Sequence, residues 1–135
     1  MSTTPNLLLS LIASNSASKE VQANAALVGL EAALTDSTSV VMTDANYTFA
    51  TGAGSLGLSN LVFIFTGPLT ATRNVILPPN AKLYAVQNNT TLTGSPAALE
   101  SLVFKVGTGA TTTTISDTNF HLIYCDGVNS VHQLS

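Results

Sequence analysis

From Ser37 to the end, the chain is a succession of short runs rich in β-branched and aromatic residues: TSVVMT, NYTFAT, NLVFIFTG, RNVILPP, KLYAVQNN, SLVFKVG, TTTTIS, NFHLIYCDG and NSVHQLS. Gly, Pro, Asn and Asp separate them at intervals of roughly 8–12 residues, the rhythm of a sandwich or barrel. The reading is therefore a mainly β chain with a small antiparallel β-sandwich or barrel over residues 37–135. Asp126-Gly127, between HLIYC and SVHQL, signals a hairpin. Gly67-Pro68 and Pro78-Pro79-Asn80 predict turns, and TGAGSLGLSN predicts a flexible loop. The unbroken apolar run LVFIF predicts a strand covered on both faces, one cover coming from a helix or a second subunit. Four threonines, Thr111–Thr114, suit a solvent-facing or interface strand. No repeat of 20–50 residues is visible.

The first 35 residues have a different texture and form a separate region, an arm plus one short helix. Met1–Ser16 is the arm, with the greasy stretch LLLSLI from Leu7 to Ile12. Ala17–Thr35 is a helix candidate, rich in strong helix formers and free of proline. Ser16 or Ser18 is placed to cap it, and Glu20 sits in the first turn facing the positive end of the dipole. Leu27, Leu30 and Leu34, with Ala23 before them, make one apolar stripe. Val21, Ala25, Val28 and Ala32 make a second beside it. The two cover more than half the circumference, which predicts a helix buried on several sides. It packs either on its own β-domain or with copies of itself around a symmetry axis. Its small residues, Gly29 among them, would let neighbours approach closely.

Charge narrows the function classes. Charged residues make up 8% of the chain, against about 25% in ordinary soluble domains. A surface of hydroxyls and amides repels its neighbours weakly, so the composition favours a protein packed in an assembly. The four basic residues, Lys19, Arg73, Lys82 and Lys105, are scattered. Neutralising a phosphate backbone needs them clustered, so no nucleic-acid partner is expected. Met1–Asn6 carries no Lys or Arg, so the opening does not read as a signal peptide. Leu7–Ala13 is too short to span a bilayer, and no membrane insertion is expected. The single cysteine, Cys125, allows no internal disulfide.

Little chemistry is visible. The seven carboxylates form no close pair in sequence. His121, Ile123 and Cys125 alternate along one strand, but residues four apart on a strand lie about 13 Å apart, too far for a Cys–His dyad. His132 is placed to lie across the hairpin from His121 or Cys125, where two or three metal ligands are imaginable. The plainer reading is a buried cysteine and hydrogen-bonded histidines. No nucleotide, hydrolase, zinc or redox motif is present. No catalytic residue, metal or cofactor is assigned, and the chain does not read as an enzyme. Tyr47, Phe49, Tyr84 and Tyr124 are the aromatic residues that would stack on a sugar, although core roles suit them better. The sequons at Asn46, Asn88 and Asn89 read as chance in a Thr-rich chain without an export signal.

Pro5–Leu27 resembles the N-terminal segment of phage tail-fibre, head-spike and gene-transfer-agent proteins, through Pro5, Leu7, Leu9, Ala13, Lys19, Glu20, Val21, Asn24, Ala26 and Leu27. Ser16 and Ser18 stand where that segment tends to carry Gln, and Ile12 where it carries Leu. The stretches GPLTATRNVILPPNAKLYAVQNNTT and FHLIYCDGVNSV look like the small β-domains that follow it in phage fibres. The resemblance implies a virion structural protein assembled in the host cytoplasm, commonly a homotrimer. It implies anchoring of the particle through Leu7, Leu8, Leu9, Leu11 and Ile12. The oligomer contact is expected along Val21, Leu27, Val28, Leu30 and Leu34. The expected role is a capsid decoration (cement) or head-fibre protein bound to the major capsid protein. The alternative is a tail-fibre or baseplate adaptor that touches host surface glycans. The chain stops at Ser135, so no polysaccharide-cleaving domain is expected.

Overall fold

The computed structural model describes residues 3–12, 17–95 and 97–135; Ala13 and Ser16, named above, lie outside the described residues. Among the described residues, one long helix, α1 (Lys19–Thr35), leads into nine strands and a one-turn helix. The strands are β1 (Ser37–Val41), β2 (Tyr47–Thr48), β3 (Val62–Leu69), β4 (Arg73–Ile76), β5 (Lys82–Leu92), β6 (Leu102–Lys105), β7 (Thr113–Ile115), β8 (Phe120–Cys125) and β9 (Val131–Gln133). The short helix, α2 (Leu56–Ser59), stands between β2 and β3. Each strand overlaps one of the runs read from the sequence, although β1 starts one residue earlier and β3 and β5 continue past theirs to Leu69 and Leu92. The expected loop TGAGSLGLSN thus contains a helical turn. Gly67-Pro68 is not a turn, because both residues continue β3 in register with β5.

The strands form two sheets, ordered β1-β3-β5-β8-β9 and β2-β4-β6-β7. The expected antiparallel arrangement is only half correct. β1, β3 and β5 pair in parallel, as do β2, β4 and β6; β7, β8 and β9 pair antiparallel. The chain alternates between the sheets on its first three passes, so β1–β2, β3–β4 and β5–β6 stack as three turns of a flattened parallel coil. Successive turns are offset by 25 and then 23 residues in one sheet (Val40, Phe65, Asn88) and by 28 and then 29 in the other (Tyr47, Val75, Phe104). This is a structural repeat that the sequence does not display. The strands of each turn face one another across a single core, and the mixed sheets do not close into a barrel.

Packing follows the two-residue period of the strands. Along β5 the inward residues are Lys82, Tyr84, Val86, Asn88 and Thr90, all buried. Phe63 and Phe65 of β3 meet Phe49 and Phe104 from the other side, with ring centroids 5.0 and 5.5 Å apart. The LVFIF strand therefore buries one face fully, while Val62 and Ile64 on the other face stay half-buried. Gly67 has φ 113°, and a Cβ there would lie 2.5 Å from the Met42 carbonyl oxygen, so only glycine lets β3 pass the end of β1.

Polar groups are built into the core as well. The Asn88 carboxamide uses all four hydrogen-bonding positions. Its Nδ2 donates to the carbonyls of Glu100 (2.7 Å) and Ile115 (3.0 Å). Its Oδ1 accepts from the Thr90 amide (3.1 Å) and hydroxyl (2.7 Å). It ties β5 to β7 across the core and is fully buried, so the sequon at Asn88 cannot carry a glycan in the folded chain. Thr113 is likewise buried and donates to the Val131 carbonyl, so Thr111–Thr114 is not simply a solvent-facing strand. The Arg73 guanidinium reaches Asp44 at 2.9 Å. The Thr70 amide, and then Arg73, hold the Asp44 carboxyl down at about 2.

Candidate interaction surface

The leader turns back on itself. Thr4 donates its amide to the Leu9 carbonyl (2.8 Å), and the Leu9 amide donates to the Thr4 hydroxyl (2.9 Å), closing a short loop over residues 4–9. Leu8 sits at φ 56° to make the turn. The loop rests on its own chain. The Asn80 side chain donates to the Pro5 carbonyl (3.2 Å), and the Ala81 amide donates to the Asn6 side chain (3.1 Å). A Cβ at Gly29 would lie 2.7 Å from Leu9 Cδ2, so the absent side chain at 29 is what admits the leucine. Leu7, Leu8 and Leu9 are half-buried in this way, whereas Leu11 and Ile12 are 45% and 44% exposed. The five residues expected to anchor the particle are thus divided. Three rest partly on their own domain and two face solvent.

The helix is packed less than the sequence predicts. Of the 17 residues of α1, Ala33 alone is buried. Val21, Leu27, Val28 and Leu34 are 58–65% exposed and Leu30 is 40% exposed. The reason lies in where the apolar residues fall around the axis. At about 100° per residue, Gln22, Ala26, Gly29 and Ala33 share the stripe that faces the leader and the domain. These are small or polar groups. The leucine stripe (Ala23, Leu27, Leu30, Leu34) and the valine–alanine stripe (Val21, Ala25, Val28, Ala32) lie on the two flanks. The side remote from the domain is polar: Glu20, Asn24, Glu31 and Thr35. The expected burial on several sides is therefore corrected. The five interface candidates are on the surface, divided between two flanks: Leu27, Leu30 and Leu34 on one, Val21 and Val28 on the other.

Between leader, helix and the loop before α2 lies a cavity of about 310 Å³, lined chiefly by Leu8, Leu9, Ala25, Ala26, Ala53 and Gly54. Its walls offer no titratable side chain, so it is a place for apolar groups and not for chemistry.

The residues considered for chemistry are held apart. His132 stands opposite Tyr124, not opposite His121 or Cys125. Cys125 is buried, and burial pushes its thiol up, away from the reactive thiolate. His121 is tied at both nitrogens, with Nδ1 2.9 Å from the Ser135 carbonyl oxygen and Nε2 2.8 Å from Asp117 Oδ1. The Ser135 carbonyl, and then Asp117, hold its imidazole above the usual range. Among the described residues, no three His, Cys, Asp or Glu side chains gather as metal ligands. Of the four aromatic residues considered for sugar stacking, Phe49 and Tyr84 are in the core and Tyr47 is half-buried edge-on to Phe49. Tyr124 is exposed. It shares the outward face of β8 with exposed Phe120, and Gln87 of β5 lies opposite Phe120.

Sequence reasoning missed Lys82. It is buried, with Nζ donating to the carbonyls of Asn60 and Leu83 and lying 4.3 Å from the centre of the Tyr84 ring. Burial without a carboxylate pulls its ammonium down to about 8. Alternation along KLYAVQNN contained the signal, since it places Lys82 on the same face as Tyr84 and Val86.

Among the described residues, no helix is long and apolar enough to cross a membrane. No protein-family model, no curated protein and no solved structure matches the chain.

Proposed function

We propose that this chain is a structural protein of a phage virion, a homotrimer that decorates the capsid and binds the particle through its N-terminal leader. The observation that carries this reading is the helix α1. It presents Val21, Leu27, Val28 and Leu34 to solvent while only Ala33 is buried. A lone chain gains little from the large side chains of a helix that buries mainly small residues, because hydrophobic stabilisation scales with the apolar area removed from water. Against a second polypeptide the same side chains supply about 1.5–3 kcal/mol each when fully covered. The scarcity of charge points the same way, and so does the resemblance of Pro5–Leu27 to phage head and tail segments. Three leaders per trimer would add their holds on the particle by multivalency. In this reading the exposed Leu11 and Ile12 meet the particle first.

Counting copies in purified particles tests the proposal. Mass spectrometry is expected to find hundreds of copies per virion, and a variant lacking residues 1–16 is expected to fold yet be absent from particles. Normal incorporation of the truncated chain would refute the anchor.

A tail adaptor that touches host glycans is the second reading. The exposed pair Tyr124 and Phe120 beside Gln87 favours it, because aromatic faces and amides together suit sugar rings. Tens of copies or fewer per particle, with binding of the purified chain to a glycan array that Tyr124→Ala removes, would establish it over decoration.

A further inference from the structure

We propose that His121 is a proton-operated latch on the last residues of the chain: as an imidazolium it holds residues 133–135 against β8, and as a neutral ring it lets that segment open. The device is independent of the assembly reading above.

The imidazole lies between two oxygens. Nε2 is 2.8 Å from Asp117 Oδ1, and Nδ1 is 2.9 Å from the Ser135 backbone oxygen. Two acceptors call for two N–H donors, and only the imidazolium has both. In either neutral tautomer one nitrogen lone pair faces an oxygen. A lone pair at Nε2 would face the Asp117 carboxylate, so the remaining proton stays on Nε2 and the Ser135 bond is the one lost. The Asp117 turn is itself fixed: the Gln87 side chain donates to the Thr118 carbonyl (2.8 Å), and the Asn119 amide donates to Asp117 (2.9 Å). The side that yields is therefore the tail. Past Gln133 it is held to β8 by two bonds, from the Leu134 amide to the Leu122 carbonyl (2.8 Å) and from the Leu122 amide to the Ser135 hydroxyl (2.9 Å). Gln133 Nε2 reaches both Nδ1 (3.0 Å) and the Ser135 oxygen (2.8 Å), so beside a neutral ring it softens the repulsion without replacing the lost bond. Asp117 is the charged side chain that faces the ring. β5 presents Val86 opposite it, and the tail presents Gln133 and the Ser135 oxygen, an acceptor in a peptide group and in a terminal carboxylate alike. The Ser135 oxygen, and then Asp117, raise the imidazole above its ordinary value of 6.5. The clamp is thus complete below 6.5 and is lost as pH rises through the raised value. Opening uncovers the Leu122 amide and carbonyl, a short unpaired edge of β8 beside exposed Phe120.

NMR of the full chain reads the latch. The His121 ring signals are followed from about pH 5 to 9 beside hydrogen exchange at the Leu122 and Leu134 amides, each rate divided by that of an unstructured chain at the same pH. The Ala85 amide, bonded to the Leu61 carbonyl inside the sheet, is the reference. Protection at Leu122 and Leu134 is expected to fall with the midpoint of the His121 titration while Ala85 stays protected. The loss is up to ten raised to the difference between the ring's midpoints with the segment closed and open. Asp117→Asn removes a charge that raises the closed midpoint, so it should move the titration and the loss of protection to lower pH together, which a merely structural role would not do. His121→Gln keeps a donor but cannot titrate, so the step should vanish; if that variant does not fold, the joint shift in Asp117→Asn carries the test. Protection that stays level across the His121 titration would overturn the latch. So would a step whose midpoint stays in place when the titration moves.

Discussion

Phe65 and Leu27 are large apolar side chains in one small protein, and their fates are opposite. Phe65 has no exposed surface and touches the rings of Phe63, Phe49 and Phe104. Leu27 is 63% exposed on a helix flank. The β-coil spends its apolar residues on its own core and satisfies even the amide it buries at Asn88. The helix and the end of the leader, Leu11 and Ile12, turn most of theirs outward, whereas in the β-region exposed apolar residues such as Val41 and Val128 stand beside a filled core. A region whose large side chains are unburied is stabilised little by its own fold, which is why we propose that it meets other polypeptides.

The largest effect separates the two regions. Phe65→Ala should cost about 3–5 kcal/mol, read by urea unfolding of the full chain. Leu27→Ala and Val28→Ala should stay within about 0.5 kcal/mol in the dilute single chain. A large loss at Leu27 would mean that the helix is integral to the fold, and the contrast would break. Next comes Asn88→Leu, which takes the amide donor from the Ile115 carbonyl and leaves the Glu100 carbonyl with only the Thr90 hydroxyl at 3.2 Å. We expect a loss on the order of 2–3 kcal/mol, and a neutral outcome would show that the amide is not what ties β5 to β7.

The third effect is smaller and depends on pH. Lys82 is pulled down to about 8 from 10.5, so between these values the unfolded chain holds a proton that the folded chain has released. Stability contributed at this site therefore rises with pH from about 8 to 10.5, and the cost of burying the ammonium is fully present below 8. Burial raises Tyr84 and Cys125, which act in the opposite sense as their unfolded forms ionise. The difference between wild type and Lys82→Met isolates the lysine. Lys82→Met should be the relatively more stable chain at pH 7 and lose that advantage toward pH 10, as read by thermal unfolding across the series. An advantage that does not change with pH would mean that the amine is solvated.

The two regions also differ in how legible they are. Every strand could be located, because β-branched runs and Gly, Pro and Asn breaks are local signals. The parallel coil could not. A strand whose partner lies 23 or 29 residues away carries the same alternation as one in a hairpin, and the unequal turn lengths hide the repeat. Gly67-Pro68 read as a turn because φ > 0 suits both a turn and a close backbone crossing; only Met42, brought near by the fold, distinguishes them. On the helix the two stripes were visible. Their exposure was not, because a flank that packs on its own domain and one that awaits a partner have the same spacing. In the leader, the docking of Leu9 at Gly29 had no local signal, since it depends on two segments meeting.

The central claim is that the flanks of α1 exist to meet other copies, and sedimentation velocity of the full chain tests it most directly. Across a concentration series the account predicts a discrete oligomer, a trimer, which Leu27→Glu combined with Val28→Glu converts to single chains of unchanged β-structure. Wild-type protein that sediments as one chain at every concentration would contradict it.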